Sequence, residues 1–183
     1  MRSLYGSVLL GSVALIGCGT SIDLEPVVAG RDAKVAPALA LASVHDARQD
    51  EAIGYGQHEW LRVGYEVDTD ADVAAWLGSY LRASLEAHAH GAAPAPGVLD
   101  VTLHRFVIQE ATWARGVADL EVRVRWSDGG VSSRRLRVIT TELMGDDDAG
   151  AWAVAADHLA SWASEEVARW SRAEAQARRP PEL

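Results

Sequence analysis

The single cysteine, Cys18, stands in the stretch Leu-Ile-Gly-Cys-Gly-Thr at positions 15 to 20, directly after the one long apolar run of the chain. One cysteine makes no internal disulfide, so its options are burial, reactivity as a thiol, or covalent modification. His45-Asp46 sets an imidazole beside a carboxylate, the parts of a general base. No serine or cysteine nucleophile sits in a recognisable motif to use it, and an aspartate-capped turn is the simpler reading. His88-Ala89-His90 offers two imidazoles, but positions two apart on a helix do not face each other and no cysteine or carboxylate cluster stands nearby in sequence. Asp146-Asp147-Asp148 lacks the alternating spacing of a calcium loop and suits a helix N-terminus. Gly54-Tyr55-Gly56 is too short to cradle a phosphate. These residues imply no metal and no cofactor, and the expectation is a protein that is not an enzyme.

A different kind of chemistry lies in Arg123, Arg125, Arg135 and Arg137, which project from two adjacent expected strands on an otherwise acidic chain. Such a patch is either a solvated sheet face, partly neutralised by Glu121, or a docking face for an acidic partner or an anionic envelope component. The formal net charge of -9 and pI near 5.1 argue against duplex nucleic acid, whose binding needs a basic stripe that releases counterions.

Met1-Arg2-Ser3, the uncharged run Leu4 to Ile16 and the small residue Gly17 form a short basic start, an apolar segment and a small-residue exit, the three parts of an export signal. As a helix the run spans roughly 20 Å at about 1.5 Å per residue, whereas crossing a bilayer core of about 30 Å takes about 20 residues. At its end, Leu15-Ile16-Gly17-Cys18 resembles the bacterial lipobox. That resemblance implies acylation of the Cys18 sulfur with palmitate-like chains, cleavage after Gly17 and acylation of the new amino group. Gly19, where aspartate favours retention at the inner membrane, implies onward transport to the outer membrane. Two or three acyl chains hold a protein on a membrane durably, where one does so only marginally.

The mature chain is expected to begin with the lipidated cysteine and a flexible tether over 18–34, interrupted by Pro26 and Gly30, followed by one domain over 35–179 and a short tail over 180–183. A first strand is read around Leu39 to Val44, ending in a turn at His45-Asp46-Ala47-Arg48. The three glycines of "IGYGQHEWLRVGYEV" make a helix costly, so a loop is expected there, then an extended segment from about Trp60 to Val67. Asp68, Thr69 and Asp70 are N-cap candidates for a helix reaching about His90, with Val73, Leu77, Tyr80, Leu81, Ser84, Leu85 and His88 on or near one face and Gly91 as C-cap.

Three strands follow. Leu99, Val101 and Leu103 alternate before the pattern blurs at Phe106 to Ile108, a sign of a bulge. Ala118, Leu120, Val122, Val124 and Trp126 alternate with Asp119, Glu121, Arg123 and Arg125, Ser127-Asp128-Gly129-Gly130 signals a hairpin, and after it Leu136, Val138 and Thr140 stand against Arg135, Arg137 and Ile139. Trp152, Ala156, Leu159, Ala163, Val167 and Trp170 recur at helical intervals over about 25 residues. Trp126, Trp152 and Trp170 are expected in the core, with Trp60, Trp113 and Trp162 as candidates for a contact surface. The fold class is α+β, an antiparallel sheet with two helices packed on one face.

The lipobox, the strand "LALASVHDAR" followed by Ile53-Gly54, the amphipathic helix and the meander ending in a long helix resemble the small envelope lipoproteins of the YajG-like kind and, more loosely, auxiliary lipoproteins of envelope transport systems. That resemblance implies a periplasm-facing accessory or scaffold protein, held on the membrane by Cys18 and acting by binding an envelope protein. Two other readings stay open: an envelope hydrolase assembled from His45, Asp46 and His104, and a carrier of lipid or another apolar ligand.

Overall fold

In the stretch Ala118 to Trp126 every second residue is apolar, and burial keeps that period: Ala118, Leu120, Val122, Val124 and Trp126 are all buried, while Arg123 and Arg125 are exposed. These residues form part of a strand inside an open mixed sheet in a computed structural model that describes residues 20–27, 37–58, 63–89, 95–110, 114–142 and 149–178. In chain order the elements are β1 (Thr20–Ser21), β2 (Ala40–Asp46), β3 (Gly54–His58), β4 (Val63–Asp68), α1 (Val73–Ala87), β5 (Gly97–Gln109), β6 (Ala114–Trp126), β7 (Val131–Glu142) and α2 (Ala149–Ala177).

The seven strands run β1-β4-β3-β5-β6-β7, with β2 also paired to β5. Both helices lie on one face of the sheet, where α1 packs on β2 and α2 on β5, β6 and β7, and the helices touch each other. The α+β class holds. The long ladders β5–β6 and β6–β7 are antiparallel, as is β3–β4, but β1–β4, β2–β5 and β3–β5 are parallel. Alternation reports which face a side chain takes and carries no strand direction; the parallel β2–β5 pair closes only through the long crossover that includes α1.

The blurred pattern in β5 has a definite cause. Pairing with β6 is regular from Gly97 to Leu103, slips between Leu103 and Arg105, and resumes to Gln109. With one extra residue at His104 the inward set changes from Leu99, Val101 and Leu103 to Phe106 and Ile108, all of them at most 1% exposed. The expected loop at Gly54 is instead strand β3, paired with β4 from Gly54↔Val67 to His58↔Val63. Its glycines are read wrongly as loop because the side chains that fill their places come from elsewhere: a Cβ on Gly54 would lie 2.7 Å from Cζ3 of Trp152, and one on Gly56 would run into the Tyr65 ring.

Helix α1 is capped by Asp72, whose Oδ1 accepts the N–H of Ala75 at 3.0 Å, rather than by Asp68, Thr69 or Asp70. Val73, Leu77, Leu81 and Leu85 are buried as expected, joined by Trp76. The hairpin from β6 to β7 turns on Gly129, whose φ of 84° is a conformation glycine adopts without steric cost. The expected C-cap Gly91 and the Asp146-Asp147-Asp148 helix start lie outside the described residues, as do Trp60 and Trp113.

On α2 all six residues of the helical stripe are buried. Two buried polar atoms there, Ser164 Oγ and Trp152 Nε1, have no hydrogen-bond partner among the described residues. A buried unpaired hydroxyl costs about 1–3 kcal/mol, and alanine is the better helix former. Ser164→Ala is therefore expected to stabilise the domain by about 1 kcal/mol, seen as a higher denaturation midpoint with an unchanged slope.

The segment after Cys18 departs from the expected tether. Residues 20–27 are docked into the body: β1 pairs with β4, and Ile22 and Leu24 are buried in the core.

Candidate functional site: the outward face of the sheet

The alternation that buries one face of β5, β6 and β7 necessarily sends the other set outward. Cross-strand register places Asp100 opposite Arg123, Glu121 opposite Arg135, Asp119 opposite Arg137 and Arg105 opposite Asp119, with Arg115 opposite Gln109. Six arginines (Arg105, Arg115, Arg123, Arg125, Arg135 and Arg137) thus share this face of three strands with three carboxylates, on a chain whose overall charge is -9. Val107, Val117 and Ile139 form an apolar row across the same strands, in which Ile139 is 48% exposed.

Three of the four arginines singled out from the sequence are paired. Arg125 Nε donates to Asp100 Oδ2 at 2.6 Å and its Nη2 to Oδ1 at 3.2 Å, while Ser43 Oγ donates to the same carboxylate at 2.7 Å. Arg137 grips Asp119 with Nε at 2.6 Å and Nη2 at 2.9 Å, the two-pronged geometry that suits guanidinium and carboxylate. Arg123 Nη2 meets Glu121 Oε1 at 3.2 Å, and His104 Nε2 lies 3.5 Å from Glu121 Oε2. Arg135 has no ion-pair partner among the described residues. The outward face is therefore a charge lattice with a cationic surplus, and Arg105 and Arg115, like Arg135, have no ion-pair partner among the described residues.

Hydrogen bonds from Arg125 hold the Asp100 carboxyl below its usual range against the opposing effect of partial burial, and Ser43 adds to them. Arg137 does the same for Asp119. A carboxylate whose folded pKa is depressed contributes stability that is complete above its unfolded value, about 3.9, and is lost as pH falls through the lower folded value. The melting temperature is expected to drop as pH is taken from about 4 downward, and to drop less steeply in Asp100→Asn. An equal slope in the variant would show that this pair is not involved. Because these pairs are solvated, the effect is small.

The extra residue at His104 opens a recess of about 540 Å³ lined by His104, Asp119, Arg135 and Arg137 together with Leu120 and Leu136. On its other side His104 borders a second recess of about 400 Å³, whose lining includes Arg48, Asp50, Tyr55, Arg105 and Gln109. There the Tyr55 hydroxyl donates to Asp50, which pushes its pKa up to about 12.

His45, Asp46 and His104 share no hydrogen bond and no recess. His45 is exposed opposite Thr102, and adjacent strand residues point to opposite faces. The Asp46 carboxylate is engaged by Arg48 through its backbone N–H at 3.0 Å and its guanidinium at 2.8 Å. Burial alone would raise the Asp46 pKa, and the Arg48 hydrogen bonds outweigh it, so the group is held low. Neither His45 nor Asp46 lines either recess. Among the described residues no cluster of histidine, cysteine, aspartate or glutamate fits a metal; His90 and Cys18 lie outside them. Trp126, Trp152 and Trp170 are buried, and Trp162 is 56% exposed on α2.

Sequence reading finds the outward arginines but misses their partners. Asp100 stands on β5, and only the β5–β6 register brings it to Arg125; nothing in the spacing of either strand shows that. His104 as the bulged residue, and hence the recess, is equally invisible.

Two helices on one face of an open mixed sheet define the fold class. No protein-family model matches the chain, and no curated protein is similar to it in sequence. The fold is shared with solved structures. A protein from Xanthomonas campestris assigned to the family DUF330 superposes with a TM-score of 0.57 at 17% identity, over 86% of this chain and 93% of that one. An uncharacterized protein gives 0.55 at 15% identity, over 83% and 97%. A candidate lipoprotein from Caulobacter crescentus gives 0.41 at 21% identity, over 59% and 83%. The first two likenesses show a common fold.

Proposed function

We propose that this is a lipid-anchored accessory or scaffold protein of the bacterial envelope, held by acyl chains on Cys18, facing the periplasm from the outer membrane and acting by binding an acidic protein partner. The anchor rests on the lipobox Leu15 to Cys18. The binding role rests on one observation: the outward sheet face carries twice as many arginines as carboxylates, and Arg135 stands without an ion-pair partner among the described residues beside an open recess. An acidic segment laid along β6 and β7 meets Arg135 directly and competes for Arg123, whose own pair is the longest. Charge complementarity of this kind favours encounter and orientation.

The hydrolase reading finds less support, because its three candidates line no common recess. The carrier reading finds less as well: the buried cluster occupies the space between helices and sheet.

The test is a photo-crosslinking residue at exposed Ser133, on the same face as Arg135, in cells growing with native membranes. A defined crosslinked partner is expected, its yield falling about tenfold with Arg135→Glu and absent when the crosslinker sits at exposed Glu165 on α2. Equal products from both sites, or no effect of the charge reversal, would reject this face as the binding surface.

A further inference from the structure

The chain that follows the anchor is fixed to the body at successive points. Thr20 and Ser21 pair in parallel with Val67 and Asp68, and the N–H of Ile22 donates to the Asp68 carbonyl at 3.0 Å. Ile22 is 3% and Leu24 8% exposed. Beyond them Trp76 Nε1 donates to the Glu25 carbonyl at 3.1 Å, and the N–H of Val27 donates to Ser79 Oγ at 2.9 Å. Sheet pairing, core burial and two helix contacts thus hold eight consecutive residues that an unattached tether would leave free.

In sequence one residue, Gly19, separates Cys18 from Thr20. Consecutive Cα atoms are about 3.8 Å apart, so two steps reach at most about 7.6 Å. A free tether running to residue 34 would reach roughly 55 Å when stretched.

We infer that the β1–β4 edge is a membrane-contacting surface whose partner is the lipid headgroup layer, so that the domain stands directly on the bilayer. This rests on the reading of Cys18 as the lipid anchor. The contact is imposed by the covalent link and not by charge, since Asp23, Glu25, Glu66 and Asp68 surround this edge and offer anionic lipids nothing. It therefore forms on zwitterionic membranes and persists in high salt. Strands are spaced about 4.8 Å apart, so β7, five steps along the sheet, lies about 24 Å from β1. The arginine-bearing strands occupy the end of the sheet away from the attachment, with β7 about three times the Debye length of about 8 Å in physiological salt away from it. A partner of this protein is met at a set height above the lipid, not anywhere within a long radius.

The test uses the mature acylated protein in phosphatidylcholine vesicles. Acylation leaves the Cys18 sulfur blocked, so one introduced cysteine takes a nitroxide label, at Asp68→Cys on β4 or at Arg137→Cys on β7. With a relaxation agent confined to the headgroups, the label at 68 is expected to relax several-fold faster than that at 137, in low and high salt alike. Inserting about ten Gly and Ser residues between Gly19 and Thr20, roughly 17 Å of root-mean-square reach, is expected to remove most of the difference. Equal relaxation at both positions before insertion, or a difference that insertion leaves unchanged, overturns the inference while the anchor stands. Failure of the protein to float with the vesicles, with no acyl mass on Cys18, overturns the anchor reading itself and this inference with it.

Discussion

Trp152→Ala is expected to lower the free energy of unfolding by about 3 kcal/mol, a large part of the roughly 5–15 kcal/mol that a domain usually has. Trp152 is fully buried near the start of α2, the largest side chain so enclosed. Its ring meets Tyr65 edge-on at a centroid distance of 6.2 Å and covers the backbone at Gly54. Truncation removes the contact between α2 and the β3–β4 hairpin and leaves a cavity, since Gly54 has no side chain to move into it. Removal of large aromatics from cores costs about 3–5 kcal/mol. The lower end applies because the unpaired Nε1 leaves with the ring and its burial penalty with it. Trp152→Phe separates the two contributions: it keeps much of the ring and deletes the unpaired N–H, so its loss is expected to be less than half that of alanine. Denaturant titration followed by far-UV circular dichroism reads both variants without relying on tryptophan fluorescence. A loss under 1 kcal/mol in Trp152→Ala would mean that helix and hairpin do not depend on this contact.

The same residue shows what was legible in the sequence and what was not. Trp152 falls on a stripe with intervals of three and four, and a period of that kind places a side chain on the buried face whatever that face packs against. It does not name the surface opposite. Gly54 is the complement of that stripe at Trp152 and Gly56 that of the Tyr65 ring; neither carries a side-chain pattern, so a strand made from them reads as a loop. Where strands alternate cleanly, as from Ala118 to Trp126, both facing and burial are legible. Where a single residue is added, as at His104, the blur is visible but its position is fixed only by the partner strand. The site follows the same division. The outward direction of Arg123, Arg125, Arg135 and Arg137 is a consequence of a two-residue period; that Arg125 finds Asp100, and that Arg135 finds no carboxylate among the described residues, depends on register. Residues 20–27 show no period and so read as tether, yet a two-residue strand and two buried side chains suffice to dock them, and so short a pairing leaves no periodic trace.

Cys18→Ser is expected to move the protein from the membrane fraction to the soluble periplasmic fraction, provided that the lipobox is exchanged at the same time for an ordinary signal-peptidase site. Without that exchange the apolar run Leu4 to Ile16 would stay on the chain and act as an anchor of its own. The size of the effect follows from acyl chemistry. Each buried methylene contributes about 0.8 kcal/mol, and one myristoyl chain partitions with a constant of about 10⁴ M⁻¹, so losing two or three chains lowers membrane association by well over a hundredfold. The remaining attachment candidates are weak by comparison. Trp162 and Val154 are exposed on α2, at 56% and 51%, but two half-exposed side chains bury far less apolar area than one acyl chain. The edge at β1 and β4 is acidic and does not bind headgroups unaided. Flotation on a density gradient, with labelled palmitate incorporated into the parent chain and absent from the variant, measures both halves of the claim. If the serine chain floats with the membrane as completely as the parent, attachment resides in the folded body, and the short distance from Cys18 to β1 loses its consequence for where the arginine face stands.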